Sequence, residues 1–307
     1  VQKLITELEA EHVDGIVIDL RNNGGGSLTE AVSLTGLFIN KGPVVQVKES
    51  QGEIEVQSDN VAGVAYAGPM AVMVNRFSAS ASEIFAAAIQ DYKRGIIVGE
   101  QTYGKGTVQT LIDLNQWVPR ETDQLGQVKL TVAKFYRVNG SSTQLKGVTP
   151  DLALPTAFKA NEFGEGSQTS ALPWDQIPSS KYESTNLIND KLVSQIQDKY
   201  NQRLKTDEDL KTLVKTLDDF KKAREDKIVS LQEAKRKLER AEAEKKRLAM
   251  KQIGEDDEEE ETLDGQVAEA PKEVKKKKDI YLTETGKMLI DLIQITKEPS
   301  LAGAKKK

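Results

Sequence analysis

The sequence predicts an α/β core followed by a helical region, and three observations carry that reading. From Val13 to about Gly147, short apolar runs that read as strands alternate with amphipathic or alanine-rich stretches. Glycine-, serine- and asparagine-containing turns separate them. Beyond residue 180 the pattern changes to helical spacing with interleaved Lys and Glu, and most of the chain's charge lies there.

The elements follow in order. VQKLITELEAEH at the start is helix-like, and Gly15 to Leu20, GIVIDL, reads as a buried strand. RNNGGGS then turns the chain, and TEAVSLTGLFIN has helical spacing at Ala31, Leu34, Leu37 and Phe38. PMAVMVN, ASEIFAAAIQDYKR and GIIVGE repeat strand, helix and strand. In VKLTVAKFYRV, Val128, Leu130 and Val132 alternate with Lys129, Thr131 and Ala133, and Asn139-Gly140 is a tight-turn dipeptide. These stretches define an expected core over residues 1–155. Residues 156–181 combine Pro, Ser and Gly without periodicity and read as a linker. Leu210, Leu213, Leu217 and Phe220 step by three and four, and Leu231, Leu238 and Leu248 continue an imperfect stripe. Arg224 and Lys227 interrupt a strict heptad, so a helical pair or arm is expected over 182–252. EDDEEEE (255–261) and KKKK (275–278) mark 253–278 as a charged linker with too little apolar surface to order itself. Residues 279–307 read as a short helix around GKMLIDLIQI with a basic tail.

Composition narrows the chemistry. The chain has no cysteine, which excludes disulfides, thiolate nucleophiles and thiolate zinc sites, and its one histidine is His12. His12 precedes the first strand, roughly 20 Å from the carboxyl-end crevice at ~3.3 Å per residue, so a packing or loop role is expected of it. No HExxH-type spacing is present, and no metal site is expected. A net charge of −5 offers no footprint for nucleic acid. The chain starts at Val1 inside a helix-like stretch and carries no apolar run near about 18 residues. A fragment of a longer soluble protein, without an integral membrane segment, is the expectation.

GEQTYGKGTVQ (99–109) poses the chemical question, because Gly99, Gly104 and Lys105 stand at the GxxxxGK spacing of a phosphate loop. Such a loop needs Ser or Thr after its lysine and a helix starting there. Here Gly106 follows, then the β-branched TVQTLIDL, so Lys105 is expected at the start of a strand and the nucleotide reading is weak. A lysine that takes a proton requires a nucleophile, and NRFSASASEIF offers one. Ser80 and Glu83 form an S-x-x-E capping pattern, which places Ser80 at a helix N-cap among orphan N–H groups suited to an oxyanion. Alone, Ser80 is a cap, Lys105 a surface lysine and Gly24 to Gly26 a flexible turn. Together they fall at the carboxyl ends of predicted strands, where open α/β sheets gather their sites.

DGIVIDLRNNGGG, SASASEIFAAAIQD, VGEQTYGKGTVQ and GVTPD resemble the carboxy-terminal processing peptidases of the tail-specific type, over about Val13 to Pro155. The helical remainder resembles that type's C-terminal region. The resemblance implies a crotonase-like spiral core of strands and helices, with Ser80 as nucleophile and Lys105 as general base. It assigns Gln109 to orienting the lysine, and oxyanion donation to the N–H groups of Ala81 and Gly26, with Gly25 as the alternative. Lys105 and Gln109 share a face if both lie on a strand. Asp91 matches a residue implicated in that type, but eleven residues of helix, roughly 16 Å, separate it from Ser80, so an indirect role is expected. The implied activity is cofactor-free endopeptidase action, through an acyl-enzyme, on unfolded proteins with apolar C-terminal tails. A periplasmic location, a preceding PDZ module and an adaptor or self-association through the helical arm are implied too. A non-catalytic peptide-binding or scaffold module on the same fold is the alternative.

Overall fold

Every residue of the segment MAVMV is buried, as a parallel strand covered on both faces requires. In the computed structural model, which describes residues 1–117, 125–158, 162–225, 231–241 and 279–297, this strand lies inside an all-parallel sheet. The sheet comprises β1 (Ile16–Asp19), β4 (Met70–Val74), β5 (Ile96–Gly99) and β8 (Leu152–Ala153), in the order β1-β4-β5-β8. A second, antiparallel sheet contains β2 (Gly42–Glu49), β3 (Ile54–Asp59), β6 (Thr107–Asp113) and β7 (Gln127–Tyr136), in the order β3-β2-β7-β6.

Period-two alternation divides the parallel sheet between two cores. Met70, Val72, Val74, Ile16 and Ile97 pack with Phe85, Ala86 and Ile89 of α3 (Ala81–Asp91) and Ile5 of α1 (Gln2–Ala10). The other side of α3 packs through Ile84 and Ala88 against Ala31 of α2 (Leu28–Gly36) and Val45 and Phe135 of the antiparallel sheet. That double contact explains why α3 is rich in alanine and buried from Ser82 to Ile89.

On the opposite face, Ala71, Met73, Ile96, Val98 and Leu152 share one cluster with α4 (Asp190–Thr206), α5 (Glu208–Glu225) and α6 (Ile280–Lys297). Leu210, Leu213 and Leu217 are buried as their spacing predicts, but in a layer on the sheet rather than in an arm standing apart from it. Arg203 of α4 donates to Glu284 and to Asp291 of α6 at 2.6 Å each, and Lys287 donates to Asp207 at 2.7 Å. Leu231 and Leu238 are exposed, so the stripe stops being buried after α5. Leu248, both charge runs and the basic tail lie outside the described residues. Much of the expected 156–181 linker is docked on the core, with Glu165 N–H donating to Tyr103 O and Ser180 N–H to Val138 O. No helix among the described residues is long and apolar enough to cross a membrane. Both faces of β7 are exposed over residues 127–132, including Val128, Leu130 and Val132, in the part of the strand beyond its last pair with β2, Glu49 and Ala133.

Candidate active site

Ser80 caps α3 at the carboxyl end of β4, with backbone angles of φ 57° and ψ −114°. A residue with a Cβ rarely occupies that region, at a cost of about 1–3 kcal/mol, so the surrounding contacts must impose it. They are visible. The Ser80 N–H donates to Glu83 Oε2 at 2.8 Å, Ala79 N–H and Ser82 Oγ donate to Asn23 O at 3.0 Å each, and Ser78 Oγ donates to Leu20 O at 2.7 Å. The resulting sharp strand-to-helix turn leaves Ser80 partly exposed.

The turn after β1 lies directly against this elbow. Gly25 has φ +100°, and a Cβ there would stand 2.7 Å from Ala79 O, 2.8 Å from Ser80 Cβ and 2.9 Å from Ala81 N. Only glycine permits that approach. The Gly25 N–H donates to Asn23 Oδ1 at 3.0 Å, whereas a Cβ on Gly26 would meet nothing within 4 Å. Gly25, Gly26 and Ala81 border a cleft of about 390 Å³ whose wall includes Leu20, Leu34 and Phe85.

Glu83 joins the serine to the lysine. Its carboxylate is fully buried and accepts from Thr102 Oγ1 at 2.5 Å, Gly104 N–H at 2.7 Å, Lys105 N–H at 2.9 Å and Ser80 N–H at 2.8 Å. The last two bonds end on the same oxygen, Oε2. Burial pushes the Glu83 pKa up to about 7 against the pull of these four donors. The capping pattern revealed the contact with Ser80. It gave no signal for the contacts with a turn some twenty residues away.

Exchanging Glu83 for glutamine tests this tie. The amide keeps one acceptor oxygen and turns an NH₂ toward two of the donors, so the tie between the two turns loosens. The pH dependence of unfolding changes as well. The folded wild-type protein holds the Glu83 proton up to about pH 7, while the unfolded chain releases it near 4.5. Raising the pH through that window therefore costs the wild type about 3 kcal/mol that the glutamine variant does not lose. Denaturant melts at pH 4.5 and 7.5 measure that difference.

The two proposed helpers sit differently. Strand β6 starts at Thr107, so Lys105 lies in the preceding turn and not on the strand. A bulge between Val108 and Gln109 also resets the alternation, so the shared-face argument for Lys105 and Gln109 does not apply. Gln109 is exposed, and its amide donates to Thr131 Oγ1 at 3.5 Å. Asp91 ends α3 and accepts from Arg137 Nε at 3.0 Å and Nη2 at 2.6 Å and from Asn139 Nδ2 at 2.8 Å. Burial raises its pKa, and the ion pair fastens the far end of the helix that carries Ser80. His12 lies between α1 and β1, at the amino end of the parallel sheet.

Comparisons with known proteins place the chain in a family. Residues 1–154 match Peptidase family S41, and residues 158–294 match the C-terminal domain of tail specific protease. A tail-specific protease of Haemophilus influenzae is 46% identical over 250 residues, covering 81% of this chain and 36% of that protein. A chloroplastic C-terminal processing peptidase of Tetradesmus obliquus is 40% identical over 153 residues, covering 50% of this chain and 31% of that protein. A solved photosystem II D1 C-terminal processing protease is similar over 50% of this chain and 38% of its own, at 38% identity and a TM-score of 0.45. The chain thus spans about a third of the length of the curated relatives it matches. With its α/β core matched from Val1 to Leu154 and the helical layer matched beyond it, the chain belongs to peptidase family S41.

Proposed function

We propose that the protein containing this chain is a serine endopeptidase that cleaves unfolded or C-terminally exposed proteins bearing apolar tails. The observation that carries the reading is the single Glu83 oxygen that accepts both the Ser80 and the Lys105 N–H groups, which holds the two backbones side by side at the crevice. In this mechanism the neutral amine of Lys105 takes the proton as Ser80 Oγ attacks a peptide carbonyl. The oxyanion receives the N–H of Ala81, the first residue of α3, and that of Gly26, since the Gly25 N–H is engaged by Asn23. Collapse expels the amine product with the proton from Lys105, and water then hydrolyses the acyl-enzyme. In this reading Gln109, exposed near the start of β6, orients Lys105.

An extended substrate adds to the outer edge of β6, the edge strand that follows Lys105. The tail-specific relative supports the substrate class, and a periplasmic address is part of the same reading. The helical layer is the proposed surface for an adaptor or a second copy. The test is cleavage of an unfolded reporter with an apolar tail by the full-length protein. Ser80→Ala lowers the rate by roughly three orders of magnitude or more while substrate still binds. Wild type that does not cleave would leave a binding or scaffold module as the better description, and equal cleavage by Ser80→Ala would put the nucleophile elsewhere.

A further inference from the structure

Lys105 sits in the middle of three consecutive N–H groups, all captured by buried side chains. Glu83 takes those of Gly104 and Lys105, and Gln144 Oε1 takes that of Gly106 at 2.8 Å. Gln144 is fully buried, and a Cβ on Gly106 would stand 2.7 Å from the Gln144 backbone nitrogen, so glycine at 106 is what admits this approach.

The other end of the Gln144 amide faces a different part of the chain. Its Nε2 donates to Leu172 O at 3.1 Å and to Glu165 Oε1 at 3.4 Å. Both acceptors lie on a strap, residues 162–176, that crosses the lysine turn. The strap is tied down by Glu165 N–H to Tyr103 O at 3.0 Å, Gln168 Nε2 to Tyr103 Oη at 2.8 Å and Trp174 Nε1 to Ser142 O at 2.9 Å. With two acceptors on the strap side and a donor on the turn side, only one orientation of the amide satisfies all three contacts.

We propose that Gln144 is a positioning residue for Lys105, with the strap fixing the amide and the amide fixing the peptide that follows the lysine. The proposal rests on the dyad reading above. Its effect is on chemistry rather than on substrate capture, because a displacement of about 1 Å at a reacting group costs on the order of a hundredfold in rate.

The experiment compares full-length wild type with Gln144→Met, which fills the volume without either polar contact, Gln144→Glu, which keeps the acceptor but loses the donor, Glu165→Ala, and the Gln144→Met/Glu165→Ala pair. Readouts are kcat and KM for a reporter with an apolar tail, and the rate at which a sulfonyl fluoride labels Ser80. Gln144→Met lowers kcat and labelling together by about tenfold to a hundredfold with KM within about twofold, and Gln144→Glu, which sets a buried carboxyl against Glu165 and Leu172 O, falls at least as far. Glu165→Ala lowers kcat by about twofold to fivefold alone and adds nothing in the Gln144→Met background. A folded Gln144→Met protein with wild-type kcat, or independent multiplication of the two effects, overturns the inference. If Gln144→Met fails to fold, unchanged kcat in Glu165→Ala overturns it. Wild type that does not cleave, or that cleaves regardless of Ser80→Ala, overturns the dyad reading itself.

Discussion

Replacing Lys105 with arginine abolishes peptide cleavage by the full-length protein as completely as replacing it with alanine. Arginine preserves the positive charge and reaches at least as far as lysine, but its guanidinium does not lose a proton in proteins and cannot take one from Ser80. The fold is unaffected, because the interaction that holds this position is made by the backbone N–H to Glu83 and any residue supplies it. The expected loss is roughly a thousandfold or more in kcat/KM for either variant, with thermal midpoints close to wild type. Substantial activity in Lys105→Arg would assign the lysine to charge stabilisation and remove it as the base.

Deleting residues 279–307 prevents the remaining chain from folding cooperatively. The deletion removes Tyr281, Met288, Leu289, Leu292 and Ile293 from the cluster that covers Ala71, Met73 and Val98 on the parallel sheet. Each large buried side chain contributes about 1.5–3 kcal/mol, so losing five removes about 7.5–15 kcal/mol, as much as the whole stability of a typical domain at about 5–15 kcal/mol. It also removes Glu284 and Asp291, the α6 partners of the half-buried Arg203. Circular dichroism of residues 1–278 would show no cooperative melt. A native-like melt at the wild-type midpoint would mean that α6 is dispensable to the sheet it covers.

These two expectations mark where the sequence was informative and where it was not. β4, β5, α3 and the Ser80 cap were legible because local apolar patterning and the S-x-x-E spacing act within a few residues. The leucine stripe of α5 identified a buried face, but periodicity does not say what covers it, so its partner emerged only from the packing. The Gly24 to Gly26 run announced a close approach without saying which glycine makes it. That depends on Ala79 and Ser80, which reach Gly25 through the fold. The same limit hid the second use of Glu83 and the contact of Gln144 with Gly106, since each joins segments about twenty to forty residues apart. The bulge after Val108 could not be read from alternating residues and removed the simple case for Gln109.

Mass mapping of a serine-directed sulfonyl fluoride on the full-length protein addresses the dyad without depending on which substrate is chosen. The account predicts one adduct, on the peptide containing Ser80, formed quickly in wild type and lost or greatly slowed in Lys105→Ala. Labelling at another serine, or labelling of Ser80 at an unchanged rate without Lys105, would contradict it.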